Sequence, residues 1–346
     1  MGERKVTIKD IAQKAGVSPS LVSFVMSNRM RGTREYRVKA ETAEKILKIA
    51  EELHYQPNHS ARSLRSGKSF TLGVILSDIS NSFFAEIARY IEDEAFRRGY
   101  SVLFGSMDED ASKLEVLLEV FISKGIDGLI LVPCDHSDEI VRKLERTGLP
   151  VVLVDREIGD GEFNAVLLDN EATSRRLCEL LLERGYRRIE MVSYDWRVSN
   201  MIQRETGYCS AMKAAGLESG IRIHRLRHTD TSEAAEAIVR EARSRGADAM
   251  LFATNHLALM GISFLFQEGK RIPSDFGLAC FDRSEVFDYF GLDIIYARQP
   301  ITDFAGKSME LMFKLLRGER RDGAPEKIVL EPEIFSSVEG KRTRVE

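Results

Sequence analysis

Acidic and amide side chains recur at one kind of position in this chain, directly after short runs of β-branched and aliphatic residues. Asp78 closes the run 72–78, Asp155 closes 151–155, Asn255 follows 249–254 and Asp282 follows 276–281. Ser80, Asn81 and Phe83 come just after Asp78, where a helix should open. Carboxylates accept pairs of hydroxyl protons and amides both donate and accept, so such a set suits a polyhydroxyl ligand. Trp196, the only tryptophan, stands near Tyr194. It is either a stacking surface for the apolar face of a sugar ring or a surface aromatic. Catalytic signatures are missing. Ala305-Gly306-Lys307-Ser308 and Ser66-Gly67-Lys68-Ser69 mimic the end of a phosphate loop, but Ile301 and Arg62 replace the upstream glycine. The six histidines are scattered, and no nucleophile stands beside one. The expectation is a protein that is not an enzyme and has neither cofactor nor metal.

Those strand ends need a scaffold. From residue 70 onward β-rich runs alternate with amphipathic stretches such as 83–98, 112–124 and 173–184. Further runs fall at 101–107, 128–133, 165–168, 189–193, 221–226 and 294–297. Strands separated by helices give parallel sheets with right-handed crossovers, and ligands sit at the carboxyl ends of their strands.

The N-terminal part reads differently. Thr7 is a good N-cap, with Asp10 placed to return the bond. Ile8, Ile11, Ala12 and Ala15 line one helix face, and Gly16 supplies a tight turn. Ser18 caps a second helix with Pro19 at its first position. Val22, Val25 and Met26 face inward, leaving Ser20, Leu21, Ser23, Phe24 and Ser27 outward. A third helix over 40–53 closes the core with Ile46, Ile49, Ala50 and Leu53. This is a helix-turn-helix, whose second helix enters the DNA major groove. The segment from Tyr55 to Arg65 follows, of a kind that could lie in a minor groove. Charge agrees: residues 1–69 carry 14 Lys/Arg against 7 Asp/Glu, a net +7, while the whole chain is at −4. A basic head on an acidic body confines attraction for phosphate to one end.

Composition, 43% hydrophobic and 30% charged over 346 residues, is that of a globular protein of two or three domains. No apolar run is long enough to span a membrane, and the first residues lack a secretion signal, so a cytoplasmic location is expected. The four cysteines lack metal-ligand spacing and are expected to be reduced.

The chain resembles the lac repressor family of bacterial regulators. The resemblance rests on Val6-Thr7-Ile8-Lys9-Asp10-Ile11-Ala12, Ala15-Gly16-Val17-Ser18, Val22-Ser23, Glu52-Leu53-x-Tyr55-x-Pro57-Asn58 and Ala61-Arg62-Ser63-Leu64-Arg65. It implies a hinge helix over Asn58–Leu64, with Leu64 wedged into the operator minor groove. It implies a periplasmic-binding-protein-like body of two lobes, crossed by the chain near Leu168, Gln299 and Val329. Arg204-Glu205-Thr206-Gly207-Tyr208 matches the family's Arg-x-x-Gly-aromatic motif, whose arginine contacts the effector. Asn81-Ser82-Phe83-Phe84 resembles its Asn-Pro-Phe-Phe loop, with Ser82 in place of proline. Three departures stand out: Leu21 and Phe24 in place of polar reading residues, a long loop bearing Arg29, Arg31, Arg34 and Arg37, and Lys39 where a capping serine is usual.

The resulting expectation is an α/β chain with a helix-turn-helix head at 1–56, a hinge helix and linker at 57–69 and a two-lobed, doubly wound parallel body at 70–346. The first lobe takes 70–168 and 300–328, the second 169–299 and 329–346. Expected DNA contacts are Thr7, Ser18, Pro19, Ser20, Leu21, Ser23, Phe24, Asn28, Arg29, Arg31, Tyr55, Asn58, Ala61 and Leu64. Expected effector contacts are Asp78, Ser80, Asn81, Phe83, Asp155, Trp196, Arg204, Asn255, Asp282 and Gln299. The expected function is repression of carbohydrate-utilisation genes by a homodimer or higher assembly on a pseudo-palindromic operator, under control of a sugar or sugar derivative ahead of a nucleobase.

Overall fold

The computed structural model describes residues 6–30, 38–55, 67–159, 161–267, 276–289, 292–319, 324–338 and 341–345. They fall into two compact units, one within 1–71 together with 95–101 and one within 72–94 together with 102–346.

The first unit contains α1 (Ile8–Ala15), α2 (Pro19–Met30) and α3 (Ala40–Glu52). Thr7 and Asp10 form the reciprocal capping box, with the Thr7 N–H donating to Asp10 Oδ2 at 2.8 Å. Gly16 ends α1 at φ 69°, a left-handed conformation that costs a side-chain-bearing residue about 1 kcal/mol or more. Ile11, Ala12, Ala15, Val22, Val25, Met26, Ala43, Ile46, Ile49 and Ala50 make one closed apolar core. Lys39 gives α3 no side-chain cap, yet that helix still starts at Ala40.

The second unit holds two sheets. In chain order its first part, with residues 71, 95–97 and 101 of these elements falling in the other unit, runs β1 (Thr71–Leu76), α4 (Ser82–Arg97), β2 (Ser101–Ser106), α5 (Ala111–Ser123), β3 (Gly128–Leu131), α6 (Asp138–Glu145), β4 (Val151–Val154) and β5 (Asn164–Leu168). The next part runs α7 (Asn170–Glu183), β6 (Ile189–Tyr194), α8 (Ser199–Ala214), β7 (Ile223–Leu226), α9 (Ser232–Ser244), β8 (Ala249–Phe252), α10 (Asn255–Gln267), β9 (Gly277–Phe281), α11 (Glu285–Tyr289) and β10 (Ile295–Arg298). The chain then adds α12 (Ile301–Leu316), β11 (Lys327–Leu330), β12 (Glu333–Val338) and β13 (Lys341–Val345).

The first sheet is ordered β11-β5-β4-β3-β1-β2 and the second β13-β12-β10-β9-β8-β6-β7. Strands such as β3, β4 and β8 are buried along their whole length. Short continuous apolar runs of this kind belong to parallel sheets covered on both faces. Parallel pairing is observed, for example Val74 with Ile130 and Ile130 with Val152.

Two expectations need correction here. β11 pairs Val329 with Leu167 and Leu330 with Leu168, so both residues belong to the first sheet. The third crossing, expected near Val329, falls just after Leu330, so Val329 and Leu330 pass from the second lobe's expected bounds to the first, because the apolar run 328–330 completes an edge strand before Pro332 breaks it. The second sheet also gains an antiparallel hairpin, β12–β13, joined to β10 through Ala297 and Ile334. The alternation of charged and apolar residues there had no helix to mark it as a separate element. All four cysteines are free.

Between α7 and α8 the backbones come very close. A Cβ on Gly207 would stand 2.2 Å from the Glu171 carbonyl oxygen. The glycine thus sets the approach of α8, the helix that carries Arg204.

Candidate functional site

All ten residues expected to contact an effector line one cavity of about 860 Å³, where the carboxyl ends of both sheets' strands face each other. Asp155 and Asp282 directly follow β4 and β9, and both have φ 67°. A side-chain-bearing residue held in the left-handed region at a strand end is uncommon, and such strain clusters at functional sites. Each is pinned by its own N–H, which donates to Val166 O for Asp155 and to Ala297 O for Asp282, both at 2.9 Å.

Arg204 stands between them. It is 2% exposed, its Nε donates to Asn170 Oδ1 at 2.8 Å, and one terminal nitrogen donates to the Ala253 carbonyl at 2.6 Å. Its guanidinium lies 3.8 Å from the centre of the Phe281 ring. Burial lowers its proton affinity, and the charges of Asp155 and Asp282 oppose that. Burial likewise pushes the Asp282 carboxyl up to about 6, against Arg204 and a 2.6 Å hydrogen bond from Gln299 Nε2. Asp155 is raised for the same reason; Arg156, Arg204 and a 2.8 Å hydrogen bond from Asn200 Nδ2 work against the shift. Asp155 Oδ1 and Gln299 Oε1 are buried and accept no hydrogen bond.

The remaining expected residues play more local parts. Asp78 accepts from the Ser80 N–H and hydroxyl, at 2.8 and 2.7 Å. Asn81 Oδ1 caps α4 by taking the Phe83 N–H at 3.0 Å, and the Phe83 ring packs edge-on against Phe84 and Phe304. Asn255 donates to the Arg283 carbonyl at 3.0 Å. Trp196 stacks on Tyr194 with centroids 4.3 Å apart, so one of its faces is already covered.

Sequence reasoning missed several lining residues. Glu109 receives a two-pronged bond from Arg156 at 2.8 and 2.7 Å, both side chains being buried. Asn200 ties α8 to Asp155 across the cleft. His228 approaches Asp78 at 3.9 Å and Trp196 at 5.5 Å between ring centroids. Glu109 and His228 follow β2 and β7, and Asn200 opens the helix after β6, so the strand-end rule, applied to every run, would have found all three.

In the helical unit, Ser18, Pro19 and Ser20 are exposed at the start of α2, and Ser18 Oγ takes the Leu21 N–H at 3.3 Å. Ser23 is half-buried and Phe24 is 36% exposed. Leu21, expected outward, is half-buried against the apolar core, because it shares a helical row with Val25 four residues on. The Thr7 hydroxyl is engaged by Asp10 at 2.7 Å. Tyr55 packs on the same core, and burial raises its phenol pKa. Arg31, Arg34, Arg37, Asn58, Ala61 and Leu64 lie outside the described residues, as do the side chains of Asn28 and Arg29.

Comparison with known proteins places this architecture. Residues 7–58 match the model of bacterial regulatory proteins of the lacI family, and residues 69–302 match that of periplasmic binding proteins and the sugar binding domain of the LacI family. The sucrose operon repressor of Klebsiella pneumoniae is 31% identical over 321 residues, covering 92% of this chain and 95% of that one. Catabolite control protein A of Priestia megaterium is 30% identical over 323 residues, covering 92% and 95%. The lac repressor dimer bound to operator and the anti-inducer ONPF shares the fold at a TM-score of 0.80 and 21% identity, covering 96% of this chain and 98% of that one. A helix-turn-helix head followed by a two-sheet body with a polar cleft at its strand ends is the LacI-family plan, and this chain belongs to that family of bacterial transcriptional regulators.

Proposed function

We propose that this chain represses carbohydrate-utilisation genes from the cytoplasm, binding a pseudo-palindromic operator as a homodimer, with a sugar in the cleft setting its affinity for DNA. The observation that carries the effector reading is the cleft itself: Arg204 held between two strand-end aspartates, with buried acceptors left open. The basic helix-turn-helix supports operator reading through Ser18, Pro19, Ser20, Ser23 and Phe24, and two-fold symmetry in such readers is matched by two-fold symmetry in the site. The minor-groove role belongs to Leu64. Edge strand β2, with Phe104 exposed, and the exposed Val116 and Val120 of α5 support association of two copies. A catalytic role is not supported, since Gly306-Lys307-Ser308 lies inside α12 with the Ser308 hydroxyl on the Phe304 carbonyl at 2.6 Å.

Two sites must be coupled for this mechanism. The cleft is bridged by Asn200 to Asp155, by the Glu157 N–H to Ser199 Oγ at 2.9 Å and by the Arg197 N–H to Asp135 at 3.1 Å. A ligand that changes these bridges shifts the equilibrium between lobe arrangements, and operator DNA must shift ligand affinity by the same factor. The test is selection of an operator from random DNA, then anisotropy titrations with and without a panel of sugars. A palindromic consensus and a sugar-dependent affinity are expected. Leu64→Ala should weaken the selected site far more than random DNA. An enriched sequence without symmetry, or equal losses on both DNAs, would overturn the corresponding part of the reading.

A further inference from the structure

The cleft's charge and its open hydrogen-bonding atoms say which kind of sugar it accepts. Among the described residues six carboxylates line it: Asp78, Glu86, Glu109, Asp155, Asp282 and Glu285. Three guanidiniums, Arg156, Arg204 and Arg283, share the wall. Arg156 is clamped on Glu109 and also donates to the Pro133 carbonyl at 2.9 Å. Arg204 is held by Asn170, Ala253 and the Phe281 ring. Even with a proton on Asp155, carboxylates outnumber guanidiniums.

Helix N-termini are the other ready seat for a phosphate or carboxylate. Among the described residues four helices, α4, α8, α10 and α11, begin at this cleft, and each has an early N–H filled by a neighbouring side chain; in α11 Ser284 Oγ takes the Val286 N–H at 3.3 Å. Asn81 Oδ1 takes the Phe83 N–H at 3.0 Å, Asn200 Oδ1 takes the Met201 N–H at 2.8 Å and Thr254 Oγ1 takes the Leu257 N–H at 3.2 Å. Two of the three buried cleft atoms left without a hydrogen bond are of the opposite kind. Asp155 Oδ1 and Gln299 Oε1, on residues 3% and 5% exposed, are acceptors waiting for a donor. The orphan donor among the described cleft residues, Arg156 Nε, lies 3.6 Å from Asp155 Oδ2. Buried acceptors left unpaired are costly, so a ligand that fills them gains specificity from its N–H or O–H groups.

We propose that this cleft selects a non-anionic, donor-rich carbohydrate, either an uncharged sugar or an amino sugar, and rejects sugar phosphates and sugar acids. The inference rests on the cleft being the effector site. Two measurements on the full-length protein separate its failure from failure of that reading.

The first needs no ligand. Trp196 is the chain's only tryptophan and lines the cleft, so its fluorescence reports the local potential. Quenching by iodide and by caesium is compared at constant ionic strength and normalised to free N-acetyltryptophanamide. Iodide should be the poorer quencher by on the order of threefold, as expected for a cleft at a negative potential of about half a kT, because the two ions respond in opposite directions. Glu86→Gln with Glu285→Gln should narrow that gap. Iodide equal to or better than caesium overturns the proposal.

The second is calorimetry with matched sets: glucose, glucosamine, glucose 6-phosphate and glucuronate, and the galactose and mannose equivalents. Tightest binding by a neutral member points to an uncharged sugar, and by the amine to an amino sugar. Tightest binding by a phosphate or uronate overturns the proposal. If none binds, the sugar reading of the cleft loses its support, and the quenching ratio alone decides the charge preference.

Discussion

The helical head and the effector cleft are built on opposite principles. In the head, ten buried apolar residues close on one another, and none of the buried polar side chains of the described residues lies there. Its polar groups work at the surface, as in the Thr7–Asp10 capping box. In the cleft, Asp155, Arg156, Asn200, Arg204 and Gln299 are all buried, and three of their polar atoms make no hydrogen bond. An apolar core is indifferent to ligand and gives a small unit one fixed shape. A buried polar cluster costs stability, and under the proposed function its open acceptors are what an effector would complete.

The largest effect should come from the cleft's central cation. Arg204→Ala would leave Asp155 and Asp282 facing each other without their shared guanidinium. Breaking a buried charged cluster at one member costs about 3–5 kcal/mol. Urea unfolding of the body, followed by Trp196 fluorescence, should show the midpoint falling accordingly, and sugar response should be lost. Binding to random DNA should persist, since the head's core contains no residue of this cluster. A loss below about 1 kcal/mol, the usual value for an exposed pair, would mean that the cluster is solvated and that the contrast with the head is overstated.

A smaller effect belongs to Asp282 and depends on pH. Its folded pKa of about 6 lies above the ordinary 3.8, so the folded state binds the proton more tightly than the unfolded state. Its contribution is fully present below about pH 4 and is lost as pH rises through about 6. Asp282→Asn removes that titration. Relative to wild type, the variant should therefore gain stability between pH 4 and pH 7, by about 2–3 kcal/mol as an upper figure. Denaturant midpoints of both proteins across that range are the check. A constant gap would mean that Asp282 titrates at its ordinary value, as it would in a water-filled groove.

These two regions were not equally legible in the sequence. The head follows from local rules: Thr7 and Asp10 three apart, Gly16 at the turn, and Val22, Val25 and Met26 at helical spacing. Leu21 escaped because a half-buried row is not visible from one residue's neighbours. In the body, the alternation of strand and helix was plain, since β3, β4 and β8 are continuous apolar runs. The hairpin β12–β13 was not, because antiparallel strands at a sheet edge need no helix between them. The cleft was legible as a set of positions. Its wiring was not: the Glu109–Arg156 pair spans 47 residues and Asn200–Asp155 spans 45, and sequence spacing carries no sign of either. The orphan oxygens on Asp155 and Gln299 are properties of the packed cavity alone.

The smallest effect sharpens the comparison from the head's side. Thr7→Ala removes the hydroxyl that takes the Asp10 N–H at 3.4 Å and donates to Asp10 Oδ2 at 2.7 Å. The reciprocal bond from the Thr7 N–H to Asp10 survives, so half of the box remains. Loss of an N-cap side chain costs about 1 kcal/mol, and in a helix of 8 residues there are few other bonds to share the loss. Thermal unfolding of the head, read by methyl NMR signals of Ile11 and Ile46, should shift down while the body's Trp196 transition stays fixed. Operator affinity should fall only as far as the unfolded fraction of the head requires. A much larger loss on operator, with the head's melting unchanged, would mean that the Thr7 hydroxyl leaves Asp10 to bind a phosphate, and that the head too holds polar groups in reserve for its ligand.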